Sequence, residues 1–258
     1  MASRGAIAAI VNQKGGVGKT TVTVGLTSAA MRAGKRVLVV DLDPQGSSTW
    51  VLGRDPTTVG VSTAEVLHGA PAENAIVASS WSERVHLLPS SHRLLPHEVT
   101  CEPGRLAAAL ATVVGHYHVV LLDCPPSLGS LTLNGLTAAQ HAVIVVEPAA
   151  LSLRGIGAVA DVVDEVWDAH NPNLDLAGVI VNKVPPVSGE ADRRLEELAR
   201  IVGRKAIWEP FVPQRVIINQ AIGDRQPIHA YGVRAADVVE VFDQLWRHLR
   251  RHVKEHRR

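Results

Sequence analysis

The chain has only two cysteines, Cys101 and Cys124, in 258 residues. Their separation matches neither a metal-ligand nor a redox spacing, which argues against a disulfide scaffold and for a reducing cytoplasm. An iron–sulfur centre would need better-placed thiols, because Cys124 stands beside an aspartate at the end of an apolar run. Histidine is more frequent, but His86, His92, His97, His116 and His118 show no paired spacing for a metal. Long hydrophobic runs are missing too: no stretch is long enough to cross a bilayer, and residues 1–6 are too short for a signal peptide. An excess of one charge is also lacking, since 26 Lys and Arg stand against 25 Asp and Glu. The total therefore does not call for nucleic acid, and the distribution matters more, because Arg247 to Arg258 is strongly basic.

What is present is apolar and periodic. A hydrophobic content of 46% suits a soluble chain with a well-filled core, and the length is enough for one large α/β domain. Apolar runs at 6–11, 36–41, 118–123, 142–147 and 177–182 predict strands, with Trp208 to Val212 a shorter candidate. Helical spacing predicts helices over 20–33, 104–115, 153–169, 190–202 and 234–252. Strands alternating with helices imply an α/β fold, a mostly parallel twisted sheet flanked by helices. No internal repeat or long linker divides the chain, so 1–258 is expected to be a single domain, with a C-terminal helix and basic tail over about 234–258. The Pro/Ser-rich stretch from Leu88 to Pro103 reads as a surface excursion.

Between the first apolar run and the first helix lies Lys14-Gly15-Gly16-Val17-Gly18-Lys19-Thr20-Thr21. Strand, glycine-rich loop and helix in that order are the context of a phosphate loop. The glycines let the backbone close around an anion, and the following helix N-terminus adds partial positive charge. Lys19 is placed to reach the β- and γ-phosphates, and the Thr20 hydroxyl to sit on Mg²⁺. Lys14 is a surplus cation in such a loop and suggests charge stabilisation during γ-phosphoryl transfer. The spacing counted from Gly15 departs from the ordinary G-x-x-x-x-G-K-[ST] pattern.

Two further strands end in carboxylates. Val37 to Val40 leads into Asp41-Leu42-Asp43-Pro44-Gln45-Gly46, where Asp41 is expected to anchor the site and Asp43 to orient an attacking water near Mg²⁺. His118 to Asp123 has the form of a Walker B element, whose terminal carboxylate reaches the Mg²⁺ shell. Ligand sites in open α/β sheets lie at the carboxyl ends of strands, so these motifs can converge on one nucleotide.

Asn12 to Thr21, Asp41 to Gly46 and Asp123-Cys124-Pro125-Pro126-Ser127 together resemble the ParA/Soj partition ATPases, members of the deviant Walker A group of P-loop NTPases that includes MinD. Val212-Pro213-Gln214-Arg215-Val216, Gln220-Ala221 and Gln226-Pro227-Ile228 extend the resemblance to about residue 232. It implies a Mg²⁺-dependent ATPase that cycles between ATP and ADP and closes as an ATP-bound sandwich homodimer, with Lys14 crossing to the partner's site. The nucleotide contacts it implies are Lys14, Gly15, Gly16, Val17, Gly18, Lys19, Thr20 and Thr21, with Asn182 on the adenine edge and Pro213 and Gln214 packed near the ring. Thr20, Asp43 and Asp123 would serve the metal, and Lys14, Lys19 and Asp43 the chemistry. The family's acidic residue after the fourth strand is displaced here, in Glu147-Pro148-Ala149-Ala150.

The resemblance further implies non-specific DNA binding by the ATP dimer, a ParB-like activating partner and a cytoplasmic, nucleoid-associated location without stable membrane insertion. Arg193, Arg194, Arg200, Arg204, Lys205, Arg215 and Arg225 are the candidate phosphate contacts, Arg215 first among them. No helix-turn-helix precedes the phosphate loop, so operator-specific binding is not expected. Leu195, Leu198 and Val202 mark an apolar face on the helix that carries Arg193 and Arg194, which equally suits an ordinary solvated amphipathic helix. The C-terminal stripe Val238, Val241, Leu245, Leu249 and Val253, flanked by Trp246, Arg247, Arg250 and Arg251, either closes the fold or lies on a membrane as in MinD-like relatives. A MinD-like positioning ATPase and a nucleotide-gated scaffold with negligible hydrolysis remain the alternatives at this stage.

Overall fold

Six apolar residues, Ala6–Val11, form β1 and are buried along their whole length in the computed structural model, which describes residues 5–255 and their side chains except at 150–154, 254 and 255. Burial on both faces follows from strand alternation. Ile7, Ala9 and Val11 enter one core, while Ala6, Ala8 and Ile10 enter the other. The chain continues through α1 (Lys19–Arg32), β2 (Val37–Asp41), α2 (Ser47–Val51), α3 (Thr63–Leu67), β3 (Val77–Ala78) and β4 (Val85–Leu88). Next come α4 (His97–Thr100), α5 (Arg105–Leu110), β5 (Val119–Asp123), α6 (Ser130–Ala138), β6 (His141–Val146) and α7 (Ala150–Ala169). The last elements are β7 (Asp175–Val181), α8 (Gly189–Val202), β8 (Ile207–Trp208), α9 (Val216–Gly223) and α10 (Ala236–Glu255).

The strands form one sheet in the order β3-β4-β2-β5-β1-β6-β7-β8, parallel throughout except for the β3–β4 pair. The mostly parallel α/β architecture is therefore as the sequence implies. β1 lies between β5 and β6, so the strand order reverses beside it, and the chain leaves the carboxyl ends of β1, β2 and β5 toward the same rim. That rim carries the phosphate loop and both aspartate motifs.

Several elements differ from expectation for definable reasons. The run Trp208 to Val212 yields only a two-residue strand, because Pro210 and Pro213 bring no N–H to a ladder. The predicted helix over 104–115 stops at Leu110, before β-branched Thr112, Val113 and Val114 and the flexible Gly115. The stretch Leu88 to Pro103 is no mere surface excursion, since Ser90, Ser91, Leu94, His97 and Cys101 are buried in it. On α10, Val238, Leu245, Leu249 and Val253 are buried as a closing helix requires, but Trp246 is buried with them and is no flank. The tail beyond residue 255, part of the basic segment to Arg258, lies outside the described residues.

Candidate functional site

The phosphate loop is tied at three points before any ligand is considered. Asn12 is buried; its Nδ2 donates to the Val145 carbonyl at 2.6 Å and its Oδ1 accepts from the Lys14 N–H at 2.8 Å. Asn182, at the end of β7, donates Nδ2 to the Val17 carbonyl at 2.8 Å. Gly18 has φ +94°, and a Cβ built there would stand 2.0 Å from that same Nδ2. Glycine is thus required twice at this position, by backbone conformation and by the close approach of Asn182. Lys19 opens α1 with its side chain almost buried, and its Nζ lies 3.3 Å from the Lys14 carbonyl. Burial lowers its pKa, with Asp123, Cys124 and Asp43 pulling it back up. A buried ammonium so placed gains most from a polyanionic ligand.

The two aspartate strands converge on Thr20. Asp123 Oδ2 accepts from the Thr20 hydroxyl at 2.8 Å and from the Ser48 hydroxyl, and Oδ1 accepts from Thr23 Oγ1 at 3.3 Å. Burial pushes the Asp123 carboxyl up to about 6, against the hydrogen bonds of Ser48 and Thr20, with Asp43 adding repulsion. Asp41 lies level with Asp123 across the β2–β5 pair and is fully buried. Its Oδ2 accepts from the N–H and the hydroxyl of Thr49, both at 2.7 Å, and its Oδ1 from the Asp43 N–H at 3.1 Å. Desolvation and then the Asp123 charge hold Asp41 well above the usual carboxylate range. Asp41 therefore anchors the turn, while Asp43 keeps a carboxyl at the rim whose Oδ1 accepts from the Gln45 N–H at 2.9 Å. Burial raises the Asp43 pKa; the Gln45 hydrogen bond and Lys19 oppose that, and Glu98 adds to it.

Other sequence candidates fall around this centre. Pro213 forms a bridge with Val184, and the Gln214 N–H donates to the Val184 carbonyl at 2.8 Å, so this segment runs beside Asn182 and the loop. Gly15, Gly16, Val17 and Thr21 are the remaining loop and first-turn residues. Lys14 does not extend outward: its ammonium pairs with Glu147 of its own chain. Of the arginines, Arg193 and Arg194 pair with Glu190, Arg194 also with Glu197, and Arg200 approaches Glu196 at 4.0 Å. The α8 face is thus a mixed-charge surface, and its Leu198 packs into the core with Leu195 and Val202 against it. Arg215 pairs with Asp237 at 2.5 Å, Arg225 lies over the Trp50 ring at 5.3 Å, and Arg204 and Lys205 occupy a short turn after α8.

Sequence reading missed Ser48, Thr49 and Ser90, which hold the aspartate turn. The Ser90 hydroxyl donates to the Asp43 carbonyl at 2.5 Å, and the Ser90 N–H to Thr49 Oγ1 at 2.8 Å. A signal existed, since Ser47-Ser48-Thr49 follows the Asp-Pro-Gln-Gly turn directly. Glu98 was missed as well; it accepts from the Ser127 hydroxyl at 3.2 Å and influences Asp43. Among the described residues no cluster of three or more His, Cys, Asp or Glu could hold a metal by itself. Both cysteines are free thiols in buried positions.

Known proteins resemble this chain over most of its length. A family model described as an AAA domain matches residues 5–176. The sporulation initiation inhibitor protein Soj of Bacillus subtilis (strain 168) is 33% identical over 236 residues, covering 90% of this chain and 93% of Soj. The chromosome-partitioning ATPase Soj of Thermus thermophilus is 36% identical over 213 residues, covering 83% of each chain. The structure of a cobyrinic acid a,c-diamide synthase from Mycobacterium smegmatis with bound ATP analogue and magnesium superposes with a TM-score of 0.83 at 32% identity, covering 97% of this chain and 96% of the other. By its phosphate loop, its two aspartate motifs and these relatives, the chain belongs to the ParA/Soj family of ATPases.

Proposed function

We propose that this chain is a Mg²⁺-dependent partition ATPase, one ATPase domain that dimerises on ATP, binds DNA non-specifically and releases it after hydrolysis stimulated by a ParB-like protein. The observation that carries the reading is the meeting of Thr20 and Asp123 at 2.8 Å beside the buried Lys19 and the rim carboxyl of Asp43. This donor set fits a hydrated Mg²⁺ on a nucleotide, with the Thr20 hydroxyl as direct ligand and Asp123 acting through water. Bound there, the ion would neutralise charge on the β- and γ-phosphates. Lys19 and the loop N–H groups hold those phosphates, and Asp43 takes a hydrogen bond from the attacking water and aims it. Asn182, Pro213 and Gln214 border the base. Lys14 leaves Glu147 and crosses to a second copy, where a cation meeting transition-state charge is worth about 10³–10⁵ in rate in comparable systems.

What favours DNA over a membrane is α10. Its apolar stripe is buried against α1 and the sheet, so the helix offers no free apolar face among its described side chains. No helix among the described residues is long and apolar enough to cross a membrane. ATP turnover with and without Mg²⁺, in wild type and Asp43→Ala, tests the hydrolytic part. Loss of turnover in the variant with nucleotide affinity kept is the expected result; equal turnover would remove Asp43 from the chemistry.

A further inference from the structure

Lys183 follows Asn182 and has φ 58°, one of two non-glycine residues in the left-handed region among those described. That conformation is unfavourable for a residue with a side chain. Here it turns the ammonium back over the phosphate loop, where Nζ meets the Gly16 carbonyl at 2.5 Å. The same Nζ lies 3.9 Å from Glu147 Oε2, while Glu147 Oε1 pairs with Lys14. One carboxylate, 21% exposed, therefore faces an ammonium on each oxygen, delivered by two different segments.

The two lysines are not equivalent. Lys14 is the group that must leave its own chain if it acts on a partner, and its departure takes one counter-charge from a largely withdrawn carboxylate. A half-buried carboxylate is destabilised when a counter-charge is removed. With Lys183 fixed by the Gly16 carbonyl, Glu147 keeps a counter-charge after Lys14 has gone.

We propose that Lys183 is a positioning residue for turnover, acting through Glu147 to make release of Lys14 from its own chain easier. The inference rests on the reading of Lys14 as a residue that acts in trans. Without Lys183, Glu147 holds Lys14 more tightly in cis, so fewer dimers carry a working lysine. Nucleotide affinity, set by Lys19 and the loop backbone, is not the quantity that changes.

The test uses the full chain with saturating Mg²⁺ and ATP, reading kcat and KM for ATP and, by calorimetry, the affinity for ADP. Lys183→Met is expected to lower kcat about fivefold, the effect of a solvent-screened ion pair. KM and ADP affinity should stay within about twofold. Lys183→Arg should retain turnover, and adding Glu147→Gln to Lys183→Met should restore it, since a neutral amide no longer holds Lys14. A purely structural role would instead weaken ADP binding and resist rescue at Glu147. Unchanged kcat in Lys183→Met, or no recovery in the double variant, overturns the proposal. Lys14→Ala run alongside separates the two claims. If it turns over normally, the trans reading falls; if it is inactive while Lys183→Met equals wild type, the Lys183 inference alone falls.

Discussion

Replacing Asp123 with Asn should alter the pH dependence of folding as well as turnover. Asp123 sits at the end of β5, fully buried, opposite Asp41 on β2. Burial raises its pKa from the ordinary 3.8 to about 6. A carboxyl raised on folding binds its proton more tightly in the native state than in the unfolded chain. Native stability from this group is therefore complete below pH 3.8 and is lost as the pH climbs toward about 6. The span corresponds to about 3 kcal/mol withheld from the nucleotide-free protein at neutral pH. Asn carries no charge, so this loss should vanish in the variant, and the relief of Asp41 from a neighbouring charge acts in the same direction. Glu65, held down at about 2 by Arg93 and Ser62 despite partial burial, contributes with the opposite sign at lower pH but equally in both proteins. Urea unfolding of the nucleotide-free proteins at pH 4, 5, 6 and 7 should show the variant gaining about 2 kcal/mol on wild type across the series. Any pH-independent change in hydrogen bonding offsets the two curves without altering that divergence. Turnover should fall roughly 10- to 100-fold, as when a residue supporting a metal ligand is removed. Parallel stability curves would refute the claim that Asp123 is a destabilised, functionally retained carboxylate.

Gly18→Ala places a Cβ 2.0 Å from Asn182 Nδ2 at φ +94°, so ADP affinity should fall more than about tenfold by calorimetry while the fold survives. Gly25→Ala would drive a Cβ to 2.2 Å from the buried Phe242 ring between α1 and α10. Thermal unfolding should then register a loss of about 1–3 kcal/mol. Leu245→Ala, in the buried stripe of α10, should cost about 2–5 kcal/mol by urea unfolding, whereas a solvent-facing or membrane-facing leucine would cost far less. Lys14→Ala should keep nucleotide binding yet lose ATP-dependent dimers or turnover, read by analytical ultracentrifugation and phosphate release.

The strands that build the site were readable because β1, β2, β5 and β6 are buried along their length, and β7 from Ala177 onward, so that each appears as a largely apolar run. β4 was hidden by its length and by His86 within it. α9 begins Val216-Ile217-Ile218, a β-branched run with strand character locally, and becomes helical because Ile217, Ile218 and Ala221 bury one face. α6 carries Gly135 because a Cβ there would meet Leu42 and Cys124 at about 3 Å, a packing constraint no propensity encodes. The same division holds in the site. The phosphate loop, Asp43 and Asp123 are local motifs and could be named from the chain. The Lys14–Glu147 pair, the Asn182 contact to Val17 and the Ser90 contact to Asp43 join residues far apart in sequence, and only the fold brings them together.

Binding to non-specific duplex DNA with ATP, ADP or no nucleotide across a salt series tests whether ATP switches this chain onto DNA. Binding is expected only with ATP, weakening by roughly 10³-fold or more between 50 and 200 mM salt if about six phosphates are contacted, and reduced by Arg215→Ala. Equal binding in all three nucleotide states, or none with ATP at low salt, would contradict it.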